Sequence, residues 1–99
     1  DFTLLYTSDH GDMAQSHCLY AKRGLQPYEE IAHIPLLSLW GQGSGEIDTP
    51  VSHIDVAATV WDFFGFQKPM MLQGESLLPL VRNGKCPDRR DVFVEFRPL

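Results

Sequence analysis

Cysteine, positive charge and long apolar runs are all scarce in this sequence of 99 residues. Its two cysteines, Cys18 and Cys86, are too few for a disulfide scaffold, and neither belongs to a CxxC pair of the kind used for zinc or redox chemistry. Eight Lys and Arg against 13 Asp and Glu give a net charge of -5, which argues against binding to nucleic acid. No apolar run is long enough to span a bilayer. We therefore expect neither nucleic acid nor a membrane as a partner.

The apolar fraction, in contrast, is that of a folded protein. Apolar residues make up 43% of the chain, which is too high for a disordered segment. A chain of this length buries only roughly 60 to 65% of the surface that it exposes when unfolded, so at most one modest core is expected. Because the chain begins at Asp1 inside what the pattern favours as a strand, we also expect that preceding sequence is missing.

Predicted strands and helices alternate along the chain. β-branched, aromatic and leucine residues favour strands at 2–7, 34–40 and 91–96. Helices are predicted between the second and third of these strands. This alternation predicts an α/β protein with a mainly parallel sheet.

The strongest local signal is a helix at 53–64. Ser52 is a candidate N-cap with Asp55 three residues later, and Gly65 can supply a left-handed C-cap. The apolar residues expected on its inner face are Ile54, Ala57, Ala58, Trp61 and Phe64. A second helix is predicted at 76–82.

Asp9 and His10 follow the first predicted strand directly. They offer an oxygen and a nitrogen ligand at the carboxyl end of a strand, where α/β proteins usually place their sites. On local chemistry alone, an Asp-His-Gly turn is more often an ordinary capped loop than a metal site. Residues 12–27 form a long predicted loop with at most one helical turn, and such loops are often functional. A short helical turn is predicted at 28–32.

Six short segments, taken in order, resemble the sulfatase family. They are TSDHGDM at 7–13, LYAK at 19–22, PYEE at 27–30, IPL at 34–36, VSHID at 51–55 and GESLLPL at 74–80. The resemblance covers nearly the whole chain. It implies an alkaline-phosphatase-like α/β sandwich with a mainly parallel sheet, of which residues 1–99 would be the C-terminal portion of the catalytic domain, without its N-terminal part.

The resemblance also implies roles for four residues. Asp9 and His10 match a pair of ligands to a divalent cation, with calcium first and manganese as the alternative. Lys22 matches the lysine that contacts the sulfate group. His17 matches a histidine that either contacts substrate or braces its loop, and the glycine that usually follows it is Cys18 here.

The activity that the resemblance implies is sulfuric ester hydrolysis on a small-molecule or glycan substrate. Its formylglycine nucleophile is expected outside this chain, since no C/S-x-P-x-R segment occurs here. The alternatives are a phosphonate or phosphate monoester hydrolase fragment and a noncatalytic α/β module. The fragment alone is expected to be inactive and to self-associate. The sequence does not decide between a periplasmic or secreted location and a cytoplasmic one.

Other polar residues are predicted to be structural. Ser52, His53 and Asp55 resemble a catalytic triad in composition only, because neighbours at one helix start point in different directions, so they are expected to cap a helix. Tyr28 is expected to pack rather than to react. The acidic residues expected to cap or to stay solvated are Asp12, Glu29 and Glu30.

Overall fold

The structure, a computed structural model, describes residues 3–22, 28–39, 45–83 and 91–95. The chain divides into two compact units. The first unit comprises Asp1–Leu39 and Phe93–Leu99, and the second comprises Trp40–Val92. Within the described ranges, no helix combines the length and the apolarity needed to cross a membrane.

The first unit contains a pair of short strands. β1 spans Leu4–Thr7 and β2 spans Leu36–Leu39. Both lie within strands predicted from the sequence, at 2–7 and 34–40. The strands are antiparallel, with Leu4 opposite Leu39 and Thr7 opposite Leu36. The connection from β1 to β2 therefore leaves and returns at one end of the pair, and this end carries Asp9 and His10.

The connection between these strands is irregular, as predicted. It holds a 3-10 turn at Ser16–Cys18 and a single helical turn, α1, at Glu29–Ala32. Met13 is fully buried beneath it, and its backbone N–H donates to the carbonyl of Ala21 at 3.0 Å. Residues 23–27 of the predicted loop lie outside the described residues.

Helix α2, His53–Phe63, is the main element of the second unit. It begins where the sequence predicts, because Asp55 Oδ2 accepts the backbone N–H of Ser52 at 2.8 Å, as in a capping box. Two residues after the end of the helix, Gly65 has a φ of 70°, and this left-handed conformation terminates the helix. The backbone N–H of Phe66 then donates to the Trp61 carbonyl at 3.0 Å, and the two rings meet edge to face. These contacts form a Schellman motif.

Helix α3, Leu78–Asn83, packs against α2 through the segment that precedes it. Asp55 is buried, and its Oδ1 accepts the backbone N–H of Glu75 at 3.0 Å. The hydroxyl of Thr59, also buried, accepts the backbone N–H of Leu77 at 2.8 Å. The buried apolar residues of this unit are Ala58, Leu77, Leu78 and Leu80. Two side chains of α2 thus accept backbone N–H groups from the segment before α3, including that of the buried Leu77.

Gly74 allows this segment to approach α2. A Cβ atom at this position would lie 1.9 Å from the backbone oxygen of Ile54, well inside van der Waals contact. No side chain fits there without displacing the backbone. The close packing of this segment against α2 therefore explains why the first residue of GESLLPL, Gly74, is a glycine.

The two described strands form an antiparallel sheet, and the mainly parallel sheet that was predicted is not shown among the described residues. Two predictions need correction. The predicted strand at 91–96 is wrong for residues 91–95, which form no strand, since short alternation alone does not supply a pairing partner. The buried face of α2 is also displaced. Its buried residues are Asp55, Ala58 and Thr59, whereas Ile54, Trp61 and Phe64 are exposed.

Candidate functional site

Asp9 and His10 lie in the turn directly after β1. Asp9 Oδ1 accepts the backbone N–H of His10 at 2.9 Å, which fixes the carboxylate over the turn. The Asp9 side chain is 86% exposed and the His10 ring 38%. Both side chains are therefore accessible to a ligand.

The hydrogen bonding of His10 determines which ring nitrogen is available. Nδ1 lies 2.7 Å from the carbonyl oxygen of Gly11. A carbonyl can only accept, so Nδ1 carries a proton and donates. The other nitrogen, Nε2, faces Asp9 Oδ2 at 3.4 Å. Nε2 is therefore the ring nitrogen available to a ligand.

This arrangement is compatible with two adjacent ligands on one cation. Asp9 Oδ2 and His10 Nε2, which lie 3.4 Å apart, are the two atoms that would hold such a cation. Metal-binding histidines commonly donate their second ring N–H to a backbone carbonyl, as His10 does to Gly11. Among the described residues, however, no group of three or more His, Cys, Asp or Glu side chains could hold a metal.

The electrostatics of Asp9 link this pair to Lys22. The pKa of the Asp9 carboxyl is lowered, first by the hydrogen bond from the His10 amide and then by the charge of the His10 ring; slight burial opposes these effects. The Lys22 ammonium makes a further, smaller contribution to lowering this pKa. Lys22 is therefore close enough for its charge to act on the Asp9 carboxylate.

His17 contacts a different set of side chains. Its ring stacks on Tyr28 with centroids 4.6 Å apart and planes 21° apart. Its Nε2 lies 3.5 Å from Glu30 Oε1. The pKa of the Glu30 carboxyl is lowered by its own backbone amide, then by a hydrogen bond from the Ser16 hydroxyl and by the His17 charge, while desolvation opposes them. His17 is thus held by α1 and the residue before it.

The backbone at His17 and Cys18 resolves the departure from the family pattern. His17 has a φ of 54° and Cys18 a φ of 59°, both in the left-handed region. Cys18 therefore adopts the conformation that favours glycine, the residue usual at this position.

The four candidate residues stay predictions, and two neighbours of His17 were not expected to contact it. Tyr28 packs, as expected, but the ring on which it packs is that of His17. Glu30, which was expected to cap or to be solvated, faces His17 instead. Glu29 does remain exposed, where it pairs with His33 at 2.8 Å. Tyr28 and Glu30 belong to the PYEE segment, which resembles the sulfatase family. That resemblance did not indicate that the two residues contact His17.

Comparison with known proteins gives the family. The family model described as "N-sulphoglucosamine sulphohydrolase, C-terminal" matches residues 15–97. The uncharacterized sulfatase YidJ of Escherichia coli (strain K12) is 40% identical over 94 residues, covering 94% of this chain and 18% of that protein. Arylsulfatase K of Rattus norvegicus is 38% identical over 88 residues, covering 87% of this chain and 15% of its own length. Arylsulfatase K of Danio rerio is 41% identical over 80 residues, covering 79% and 15%.

No solved structure matches the chain significantly. The chain spans 15 to 18% of the length of these three relatives. The family model matches well over half of the chain, and all three relatives carry the word sulfatase in their names. This chain therefore belongs to the sulfatase family and corresponds to a C-terminal part of its members.

Proposed function

We propose that the complete protein hydrolyses sulfate esters, and that this chain contributes two ligands to its divalent cation and a lysine to the sulfate group. The observation that supports this best is the facing pair of donor atoms, Asp9 Oδ2 and His10 Nε2, with the other ring nitrogen already bonded to a carbonyl. The names of the relatives, sulfatase and arylsulfatase, supply the ester class.

Calcium is the first candidate for the cation, because carboxylate oxygens suit a hard ion. Manganese is the alternative, because the His10 imidazole suits it better. A hard cation takes six or more ligands, so we propose that the remaining ligands, together with a formylglycine nucleophile, come from the rest of the polypeptide. Such a cation, when bound, supplies a lower pKa for the attacking hydroxyl and withdraws charge from the ester oxygens.

Lys22 is proposed to bind the sulfate oxygens. Its side chain is exposed, and its charge makes the smallest of the named contributions that lower the pKa of Asp9. A compact, positively charged donor is well suited to a tetrahedral oxyanion. His17 is proposed to contact the same substrate from the neighbouring loop.

We propose that residues 1–99 form the C-terminal part of a catalytic domain with an alkaline-phosphatase-like α/β sandwich. An antiparallel strand pair at the edge of a mainly parallel sheet is common, so β1 and β2 are compatible with this fold. Large apolar side chains of α2 and of the residue that follows it are exposed, namely Ile54, Trp61 and Phe64. Since the relatives are several times longer, we propose that the rest of the polypeptide covers these side chains and that the isolated fragment is inactive and self-associates.

The test is turnover of an aryl sulfate, with the matching aryl phosphate as a second substrate, by the full-length protein. We expect Asp9→Ala and Lys22→Ala each to lower kcat/KM by at least about 100-fold. The matched controls are Asp48→Ala and Arg82→Ala, which remove an exposed acid and an exposed base from the second unit and should leave turnover unchanged.

Wild-type turnover in both Asp9→Ala and Lys22→Ala would reject the roles proposed for these residues. Faster turnover of the phosphate than of the sulfate would favour the monoester phosphatase alternative. No turnover of either ester by the metal-loaded wild-type protein would favour the noncatalytic module.

A further inference from the structure

The loop that carries His17 has an unusual backbone. Five residues other than glycine have a positive φ. They are Ala14, Gln15, His17, Cys18 and Ala21. Each such residue costs roughly 1 to 2 kcal/mol relative to its preferred conformation. A strained loop of this kind persists only where its surroundings determine its shape, and such loops are concentrated at functional sites.

The surroundings of this loop include α1 and the residue before it. Tyr28 offers a flat ring parallel to the His17 imidazole at 4.6 Å. Glu30 places its Oε1 at 3.5 Å from His17 Nε2 and is itself only one third exposed. The imidazole is therefore held on one face and at one nitrogen.

The same helical turn also contacts the residue that follows His10. The backbone N–H of Gly11 donates to the Ile31 carbonyl at 2.9 Å. A Cβ atom on Gly11 would lie 1.8 Å from the backbone oxygen of Glu30, so the two segments touch directly. Helix α1 thus contacts both the turn with the proposed metal ligands and the loop with His17.

We infer that Tyr28 and Glu30 are positioning residues, which together fix the His17 imidazole so that its Nδ1 is presented to the sulfate ester. This inference rests on the proposed function. A carboxylate beside Nε2 favours the proton on that nitrogen and so determines which nitrogen meets the ligand. The lowered pKa of Glu30 keeps this carboxylate ionised. Stacking on Tyr28 fixes the plane of the ring.

The first experiment is a double-mutant cycle in the full-length protein. Glu30→Gln is expected to lower kcat/KM for an aryl sulfate about tenfold in a protein that is still folded at the assay pH, since a misplaced group loses its contact with the reacting molecule. Glu29→Gln is the matched control, because Glu29 is the neighbouring acid and faces His33 instead. In a His17→Ala background, Glu30→Gln should cause no further loss.

Conservative substitution separates stacking from other effects of Tyr28. Tyr28→Phe keeps the ring and should retain wild-type kcat/KM, whereas Tyr28→Leu should lower it as Glu30→Gln does. An equal loss from Glu30→Gln with and without His17 would overturn the inference. A loss in Tyr28→Phe as large as that in Tyr28→Leu would also overturn the stacking role.

A second readout does not depend on turnover, so it distinguishes this inference from the proposed function. Nitrogen NMR of the His17 ring reports its tautomer directly. Glu30→Gln should shift the proton population between Nε2 and Nδ1, and Glu29→Gln should not. If the protein fails to hydrolyse sulfate esters, the proposed function falls, but this shift would still support the positioning of His17. An unchanged tautomer in Glu30→Gln would overturn it.

Discussion

Replacing Cys18 with glycine is expected to stabilise the protein, because Cys18 holds a φ of 59° that glycine adopts at much lower cost. The side chain of Cys18 is exposed, so its removal gives up little buried area. The left-handed conformation costs a residue other than glycine roughly 1 to 2 kcal/mol. Glycine loses about 0.5 to 1 kcal/mol more chain entropy on folding. The net gain in free energy of unfolding should therefore be about 0.5 to 1 kcal/mol.

Urea denaturation of the full-length protein, followed by tryptophan fluorescence, measures this gain. The midpoint should rise by this gain divided by the slope of the unfolding transition. Cys18→Ala is the matched control, since it also removes the thiol but keeps the strain. Its midpoint should stay close to that of wild type. A glycine variant no more stable than the alanine variant would refute the account of this loop.

Three further predictions concern stability. Gly74→Ala should lower the free energy of unfolding by at least about 2 kcal/mol, because its Cβ would collide with a backbone oxygen. Gly45→Ala is the control, because a Cβ there meets no described atom within 4 Å. It should change the free energy of unfolding by less than about 0.5 kcal/mol in the same denaturation assay. Asp55→Asn should cost about 1 to 3 kcal/mol, because an amide cannot accept at both positions where the buried carboxylate binds a backbone N–H, while an exposed change, Asp48→Asn, should be neutral. The pKa of Glu30 is lowered in the folded state, so its contribution is full above the ordinary value and is lost as the pH falls through the lowered one; urea midpoints between about pH 5 and pH 3 should fall less steeply in Glu30→Gln than in wild type.

Local signals accounted for the parts of the fold that depend on nearby residues. Helix α2 begins and ends within one residue of its prediction, because Ser52, Asp55 and Gly65 form their hydrogen bonds within a few positions. Asp9 and His10 were placed at the end of a strand for the same reason. The family resemblance, which depends on the order of short segments, was confirmed by the comparisons.

Features that depend on distant residues escaped sequence reasoning. The direction of β2 relative to β1 depends on residues far apart in the sequence, so the alternation of elements did not predict this antiparallel pair. The buried face of α2 was misplaced because Asp55 and Thr59 bond to a segment about 20 residues later. The contact between Glu30 and His17 was not predicted, because the loop returns to α1 through residues with positive φ. None of these residues is a glycine, so the sequence does not indicate this conformation.

The metal content of the full-length protein tests directly whether Asp9 and His10 bind a cation. Purified wild-type protein should retain about one equivalent of calcium or manganese after dialysis, measured by mass spectrometry of the metals, because a hard cation with a full ligand set is tightly held. The double variant Asp9→Ala/His10→Ala should lose most of this metal while keeping its far-ultraviolet circular dichroism. An equal metal content in the folded double variant and in wild type would contradict the assignment of these two side chains as ligands.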